Sequence, residues 1–162
     1  MREITLVHNK AVAIIDDEDF ELVSPYRWYL MGTSPNSDYV IGRRRKHQEQ
    51  ILMHRLIMNA PDHLEVDHID HNGLNNRRSN LRLVTRRQNR IHSRKPAGCT
   101  SQYKGVVKLI RRSGLIRWQV QGRIGRKNMH LGLFESEIEA AHAYDAWASE
   151  RFGDLAVLNF AP

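Results

Sequence analysis

The side chains best suited to catalysis lie in one stretch of the chain. Asp67 and His68 are adjacent, and two amide side chains follow them, at Asn80 and Asn89. A carboxylate is a hard oxygen ligand that suits Mg²⁺ or Mn²⁺, and the oxygen of Asn89 would be a second, neutral ligand. The imidazole of His68 can take a proton from water at neutral pH, while the oxygen of Asn80 can accept from its other ring nitrogen. One metal ion and one aimed water are sufficient to hydrolyse a phosphodiester.

Each of these residues, taken alone, has a simpler explanation. Asn is common in turns, and Asp67-His68 would be merely the polar end of a strand. Together, the four residues favour a catalytic site, because the predicted strands, loop and helix would bring their side chains around one pocket. Those elements are a strand at 64–70, a polar loop at 71–76, a second strand at 80–84 and a basic helix after Thr85.

The charge of the chain favours an anionic partner such as nucleic acid. The formal net charge is +7. Residues 82–95 hold six basic side chains and no acid, and residues 101–134 hold eight more, again without an acid. Residues 135–154 then hold six acids and one arginine. Such segregation predicts one face that binds phosphates.

Length and composition exclude several classes of protein. At 162 residues with 41% apolar content, the chain has room for one domain or two small ones. No apolar run approaches the length of about 20 residues that spans a bilayer, and the first ten residues lack the apolar stretch of a signal peptide. The single cysteine, Cys99, excludes an intramolecular disulfide and a cysteine-rich zinc site. We therefore expect a cytoplasmic protein that is not secreted.

The first half of the chain has the pattern of short strands with little helix. Leu52, Leu56 and Ile57 have helical spacing, which predicts a helix at 51–59, and the acidic segment 16–26 favours a shorter one. His8-Asn9-Lys10 predicts a hairpin turn. Strands are predicted at 4–7, 11–15, 28–31 and 39–43.

The pattern changes after a segment without periodicity. Residues 94–100 contain Pro96 and Gly98, which predicts a linker. Ser136 and Glu139 then form a capping box at the start of a helix whose small-residue face would lie close on a sheet. Strands are predicted before that helix, at 104–110, 117–124 and 128–134.

The stretch around Asp67 resembles the HNH family of nucleases, in the subgroup of free-standing and intron-encoded homing endonucleases. The resemblance covers about residues 50–92 and is carried by Asp67-His68-x-Asp70, Asn75-Asn76, Ser79-Asn80-Leu81-Arg82 and Asn89, with Met53-His54-Arg55-Leu56 upstream. It implies a ββα-metal site in which His68 is the general base, Asp67 and Asn89 hold the metal, and Asn80 orients His68. It implies one divalent ion, Mg²⁺ or Mn²⁺, and argues against zinc. It also implies a host cytosol of the phage or bacterial type.

Three other histidines belong to the same half of the chain. For His54, a phosphate contact and a partly buried helix position are both open, and the second is favoured. We expect His63 and His71 to be surface residues.

The last 60 residues resemble the DNA-binding domain of the APETALA/ethylene-response-factor family. The resemblance is carried by Tyr103-Lys104-Gly105-Val106, Trp118, His130-Leu131-Gly132-x-Phe134, Glu139-Ala140-Ala141-x-Ala143-Tyr144-Asp145 and Asn159-Phe160. It implies a three-stranded antiparallel sheet that enters the major groove and is backed by one α-helix. The family is richer in Arg and Trp at its base-contacting positions, so its GC-rich target is not carried over.

The alternation of side chains along residues 118–123 agrees with that fold. It places Trp118 and Val120 on one face and Gln119, Gln121 and Arg123 on the other. Gln pairs with adenine edges, and Arg pairs with guanine or phosphate. Among the residues expected to contact DNA are Arg43, Arg44, Arg45, Arg86, Arg87, Arg90, Lys104, Lys108, Gln119, Gln121, Arg123, Asn128 and His130.

The sequence thus predicts an α+β, two-domain endonuclease that cleaves double-stranded DNA. Residues 1–93 would be the nuclease domain and 101–162 the DNA-binding domain. No membrane and no small-molecule cofactor is expected, and a monomer would nick one strand unless it dimerises. A non-catalytic DNA-binding regulator and an RNA-binding protein are the alternatives, and the deep groove of duplex RNA disfavours the second.

Overall fold

The computed structural model describes residues 1–8, 11–32, 39–44, 50–95 and 98–160. Within them the chain is α+β, with several small antiparallel sheets and few helices, which confirms the predicted class. The chain divides into two compact units, Met1–Arg86 and Arg87–Pro162. The division lies inside a helix, whereas the sequence indicates a linker at 94–100, and the predicted domain limits stay predictions.

The first unit combines short strands and two short helices. The predicted strands of its first 43 residues are confirmed to within two residues at each end. Its helices are α1 (Phe20–Val23) and α2 (Met53–Ile57), and 3₁₀ turns cover Asp17–Asp19 and Arg78–Asn80. Its strands are β1 (Arg2–Thr5), β2 (Val12–Ile15), β3 (Arg27–Met31), β4 (Tyr39–Arg43), β5 (Ile51–Leu52), β6 (Glu65–His68) and β7 (Leu81–Val84).

The three sheets of this unit are antiparallel. β1 pairs with β2, the second sheet has the order β3-β4-β5, and β6 pairs with β7. The predicted helix at 51–59 is wrong at its start, because Ile51 and Leu52 pair with β4 instead. In the predicted turn, His8 has a φ of 77°, and Asn9 and Lys10 lie outside the described residues.

The core of the first unit fixes the hairpin of β6 and β7. Ile15, Val40 and Met53 are fully buried, and Val66 and Leu81 join the same cluster. Because Val66 immediately precedes the two polar residues of interest, its burial sets the depth of Asp67 and His68 in the unit.

The second unit is a sheet with one long helix. Its strands β8 (Val106–Ile110), β9 (Ile116–Ile124) and β10 (Lys127–Phe134) follow α3 (Arg86–His92), which straddles the division, and form an antiparallel sheet of order β10-β9-β8. Helix α4 (Glu137–Phe152) begins as predicted, because Ser136 Oγ accepts from the backbone N–H of Glu139 at 3.4 Å. The predicted strands and helix of this half are confirmed.

Small residues bring α4 close to the sheet. Ala140, Ala141 and Ala148 of α4 are buried in one cluster with Val106 and Val120 of the strands. The apolar face predicted for β9 therefore does face the helix. No helix among the described residues has both the length and the apolar character that a membrane crossing requires.

Candidate active site

The candidate site lies at the end of β6. The antiparallel register pairs Asp67 with Arg82 and His68 with Leu81. Just beyond β6, the backbone N–H of Ile69 donates to Asn80 O at 2.9 Å and extends the pairing of the two hairpin arms. The carboxylate and the imidazole are thus carried by consecutive residues of β6, and both are buried, at 7% and 6% exposure.

Asn76 determines which nitrogen of His68 carries the proton. His68 Nε2 lies 3.4 Å from Asn76 Oδ1. The amide of Asn76 is held in this direction, because its Nδ2 donates to Gly73 O at 3.1 Å. An amide oxygen only accepts, so Nε2 carries the hydrogen and Nδ1 carries the lone pair.

The ring of His68 is neutral near pH 7. Burial is the main influence and lowers its pKa below the ordinary 6.5, while the hydrogen bond to Asn76 and the charges of Asp70 and Asp67 act in the opposite direction. At neutral pH, Nδ1 can therefore accept a proton. The same two carboxylates would stabilise the imidazolium that results.

Arg82 holds the carboxylate of Asp67. Its Nε donates to Asp67 Oδ2 at 2.8 Å, and its terminal Nη2 lies 2.8 Å from the same oxygen. The pair follows from the register, in which the two residues are directly opposite. Asp67 thus has a fixed rotamer and a positive partner in a buried position.

Asn80 contacts the loop and not the ring of His68 in the described part of the chain. Its Nδ2 donates to Asp70 Oδ1 at 2.9 Å and to Asn75 O at 2.8 Å, and its Oδ1 accepts from the backbone N–H of Asp70 at 3.0 Å. The contact predicted between Asn80 and His68 is wrong, since Asn76 occupies that place. The side chain of Asn80 instead holds the loop that carries Asn76.

The loop is tied together by Asp70. Its carboxylate accepts from the backbone N–H of Asn72 at 2.8 Å and from Asn75 Nδ2 at 2.7 Å. Burial alone would raise the pKa of Asp70, but these bonds and that from Asn80 outweigh it and lower the pKa. A charged Asp70 therefore organises the turn that places Asn76.

Two further rings adjoin His68. The ring of His54 lies 5.1 Å from that of His68 at an interplanar angle of 79°, and the ring of Tyr39 lies 5.4 Å from that of His54. His54 is 4% exposed, and burial, followed by the charges of His68 and Arg55, lowers its pKa to about 3. The helix position favoured from the sequence is confirmed for His54, which is buried more fully than the partial burial expected.

The sequence did not reveal three of these neighbours. Asn76 belongs to the motif, but spacing alone does not tell which amide faces the imidazole. Arg82 follows from the strand register, which a sequence pattern fixes only when the turn is known. Tyr39 comes from a separate sheet, and no local signal connects it to His68.

Comparison with known proteins identifies the family of this site. The profile of the HNH endonuclease family matches residues 52–91. An uncharacterized HNH endonuclease of Acanthamoeba polyphaga mimivirus is 32% identical over 152 residues, which cover 91% of this chain and 74% of that protein. The chain belongs to the HNH endonuclease family. It is thus related to nucleases, and no solved structure matches it.

The second half of this HNH protein has a different relative. APETALA2-like protein 2 of Oryza sativa, in both the indica and the japonica subspecies, is 42% identical over 65 residues. The aligned part is 39% of this chain but 14% of the rice protein.

The donor atoms of the HNH motif fit a hard divalent cation. HNH nucleases generally use a divalent metal, and Asp67 supplies a buried carboxylate whose rotamer is fixed by Arg82. Within the described ranges, no three His, Cys, Asp or Glu side chains gather where they could hold a metal ion. A pair of one carboxylate and one amide, with water and phosphate completing the shell, is a separate kind of site and suits Mg²⁺.

Asn89, the last residue of the HNH motif, lies on α3. It is half-buried, and the division of the chain assigns it to the second unit, whereas Asp67 and His68 belong to the first. Its role as a ligand therefore rests on the motif alone.

Three arginines expected to contact DNA follow β4 or end it. Arg43 is exposed, with its guanidinium 5.9 Å from the ring centre of Tyr29. Arg44 is exposed as well, and Arg45 lies outside the described residues.

Three more arginines expected to contact DNA lie on α3. Arg86, Arg87 and Arg90 are all exposed. Arg86 Nε is 4.0 Å from Glu65 Oε1, a contact too long and too exposed to hold the side chain.

The two lysines predicted to contact DNA, Lys104 and Lys108, do not lie beside the glutamines. Lys104 precedes β8 and donates to Ile91 O at 2.9 Å and Ser93 O at 2.7 Å, and burial lowers its pKa to about 8. Lys108 is paired with Trp118, so it lies on the face opposite the glutamines. Their expected position beside the glutamines is wrong, because the register of β8 puts Val107 there.

The remaining residues predicted for the sheet do share one face. Gln121 is opposite His130, and Arg123 is opposite Asn128. Gln121 Nε2 donates to Gln119 Oε1 at 3.1 Å, and Gln119 Nε2 is 2.9 Å from His130 Nδ1. The five side chains form a polar ladder across β9 and β10, in which all but the half-buried Gln119 are exposed.

Proposed function

We propose that this HNH protein is a site-specific DNA endonuclease of the homing type, which hydrolyses a phosphodiester with one divalent metal. The observation that carries the proposal is the neutral, oriented imidazole of His68 beside the carboxylate of Asp67. His68 Nδ1 takes a proton from the attacking water, while Nε2 keeps its hydrogen and donates it in a hydrogen bond to Asn76 Oδ1. The developing positive charge is stabilised by Asp67 and Asp70.

Asp67 and Asn89 are the proposed metal ligands. A bound Mg²⁺ or Mn²⁺ would polarise the scissile phosphate and stabilise the leaving oxygen. Arg82 holds Asp67 in place for this task, and Asn80 holds the loop that carries Asn76. Zinc is not part of the proposal, since its usual ligands are His and Cys.

We propose that the second unit binds DNA through the polar ladder of β9 and β10. Its likeness to part of the rice APETALA2-like proteins supports a domain of the ethylene-response-factor type. The face carries Gln119, Gln121 and His130 toward solvent, and the flanking Arg123 adds charge for phosphates. Residues proposed for the phosphate backbone in the rest of the chain are Arg43, Arg44, Arg45, Arg86, Arg87 and Arg90.

Lys104 and Lys108 have a weaker case as DNA contacts. The bonds of Lys104 to two carbonyl groups hold it inside the unit. Lys108 Nζ lies 5.8 Å from the ring centre of Trp118, on the side of the sheet away from the ladder. We propose that both stabilise the domain.

Plasmid nicking tests the proposed function. The purified chain is incubated with supercoiled DNA in Mg²⁺, in Mn²⁺ and in EDTA, and strand-specific end labels then map the cut. We expect one nicked strand at a defined site, formed in either metal and not in EDTA. Binding without cleavage in both metals would contradict the proposal and favour the non-catalytic DNA-binding regulator.

We propose that the protein acts as a monomer. One active site per chain cleaves one strand, so a monomer would nick DNA in the host cytosol. Linear product formed with a second-order dependence on protein would instead indicate a dimer.

A further inference from the structure

Arg82 lies against the active site but has no part in the proton transfer. It is directly opposite Asp67 in the β6–β7 register. Two of its nitrogens, Nε and Nη2, approach the same carboxylate oxygen, Oδ2, each at 2.8 Å. Its side chain is 23% exposed, whereas that of Asp67 is 7% exposed. The arginine is thus mostly buried and oriented by the backbone of two paired strands.

The pair differs from two other arginine–aspartate contacts of the first unit, those of Arg77 and Arg78. Arg77 pairs with Asp16 at 3.2 Å, but both side chains reach into solvent, at 44% and 27% exposure. Arg78 Nη2 binds the buried Asp19 at 2.6 Å, and that contact ties the 3₁₀ turn Arg78–Asn80 to the 3₁₀ turn Asp17–Asp19. The Arg82 contact alone of these three involves a residue of the nuclease motif.

Two contacts on one oxygen restrict rotation of the Asp67 carboxylate about its Cβ–Cγ bond. A neighbour with this geometry prepares a ligand in the way that outer partners of metal ligands do in other metal sites.

We propose that Arg82 is a positioning residue for the metal, which holds the carboxylate of Asp67 in one orientation before the ion arrives. This inference rests on the proposed function, because it assumes that Asp67 binds a divalent cation. It assigns to Arg82 no contact with the scissile phosphate. The loss of Arg82 should therefore weaken metal binding even when no DNA is present.

The alternative role for Arg82 makes the opposite prediction. An arginine that only replaces the cation while the site is empty of metal would compete with the ion. Its removal would then strengthen metal binding, since one positive charge less repels the cation. The direction of the change in affinity separates the two roles.

Three variants of the full chain test the proposal: Arg82→Met, Arg82→Lys and, as a matched control, Arg77→Met. Mn²⁺ affinity is measured by electron paramagnetic resonance without DNA, and single-turnover nicking is then measured over a range of Mn²⁺. We expect Arg82→Met to bind Mn²⁺ about tenfold more weakly, with Arg82→Lys in between and Arg77→Met unchanged. In nicking, the half-saturating Mn²⁺ concentration should rise by the same factor, with an unchanged Kd for DNA in Ca²⁺.

The outcomes separate this inference from the proposed function. Unchanged or tighter Mn²⁺ binding by Arg82→Met, in a variant whose circular dichroism matches the wild type, overturns the positioning role. If Arg82→Met does not fold, Arg82→Lys decides in the same way. A wild type that binds Mn²⁺ at Asp67 but cleaves no DNA contradicts the nuclease, while the affinity measurement still decides the role of Arg82.

Discussion

At the scale of single residues, the chemistry depends on which nitrogen of His68 carries its proton. Three groups along a short path determine it: Gly73 O accepts from Asn76 Nδ2, and Asn76 Oδ1 then accepts from His68 Nε2. The lone pair is left on Nδ1, which is the position from which a general base acts. An interaction with a backbone carbonyl, distant from the reaction, thus decides the tautomer.

Asn76→Ala should remove both hydrogen bonds that connect His68 to Gly73 O. The ring would lose the acceptor that fixes its tautomer, and we expect the rate of DNA nicking to fall by about 100-fold. DNA affinity should stay within about twofold of the wild type, because Asn76 is fully buried and cannot reach DNA. Single-turnover nicking and a binding isotherm in Ca²⁺ provide the two numbers.

Asn76→Asp is the informative companion variant. It keeps the acceptor but adds a negative charge, so it should restore much of the rate and move the pH profile upward as the pKa of His68 rises. An alanine variant with wild-type rate would mean that Asn76 does not orient the base.

His54 should make the stability of the chain depend on pH. Its pKa is about 3 in the folded chain and 6.5 as an ordinary value. Below pH 6.5 the unfolded chain takes up a proton that the folded chain does not, so the free energy of unfolding falls as the pH falls toward 3. The slope approaches at most about 1.4 kcal/mol per pH unit.

His54→Phe removes that slope and keeps the ring volume. Urea unfolding at pH 7 and pH 5 should show a smaller loss of stability on acidification than in the wild type. His63→Phe, at an exposed position, is the control and should leave the pH dependence unchanged. Equal slopes in wild type and His54→Phe would show that His54 is not buried in neutral form.

Sequence patterns predicted the candidate catalytic residues but not the side chains that contact them. Asp67 and His68 stand out from the other Asp-His pairs of the chain because Asn80 and Asn89 follow them at the spacing of the HNH motif. Asn80 was given the contact that belongs to Asn76, because both are amides in one loop and the turn between them is set by Asp70. The choice depends on backbone geometry, which the residue types do not encode by themselves.

At the scale of elements, the alternation of side chains was the more reliable guide. It placed Val120 against α4, while strand-like runs predicted β3 and β4 to within one residue at each end. Helical spacing failed where strand pairing decides, as at Leu52, which pairs with β4. Alternation failed at Lys108, because the register of β8 against β9 is not readable from either strand alone.

The close approach of α4 to the segment before β8 requires a glycine at position 105. Gly105 and Gly114 both have positive φ, at 79° and 82°, so alanine strains the backbone equally at each. A Cβ at Gly105 would overlap the ring of Tyr144, whereas no atom lies within 4 Å of one at Gly114. The two substitutions therefore separate packing from backbone strain.

We expect Gly105→Ala to be less stable than Gly114→Ala by about 2 kcal/mol or more. Urea unfolding followed by tryptophan fluorescence measures the difference, since Trp118 and Trp147 belong to this unit. Equal stabilities of the two variants would mean that α4 does not pack as closely as described.

At the scale of the whole molecule, an HNH site and a basic sheet share one chain with a net charge of +7. The charge predicts affinity for any DNA, and the polar ladder predicts preference among sequences. The sequence indicated both halves, because each resembles a known family. It did not indicate the limits of the compact units, since the division falls within the continuous helix α3.

Variants on the ladder should separate affinity from preference. Arg123→Ala should reduce the salt dependence of DNA binding by about one unit of slope, because one phosphate contact is lost. The double variant Gln119→Ala, Gln121→Ala should keep the slope but reduce the preference for selected over random duplex by about tenfold. Selection from a randomised duplex library, followed by binding at several salt concentrations, gives both values. A double variant that keeps its preference would place sequence reading elsewhere.

The proposed nuclease activity requires a base that acts after DNA is bound. His68→Ala removes the only group proposed to deprotonate water but leaves every proposed DNA contact in place, and His63→Ala is the matched surface control. The decisive measurement is the single-turnover nicking rate of His68→Ala in Mg²⁺, with DNA affinity measured on the same preparation in Ca²⁺. The result predicted is a fall in rate of about 100-fold or more at unchanged affinity. A rate that falls only in proportion to lost binding, or does not fall, would contradict the assignment of His68 as the general base.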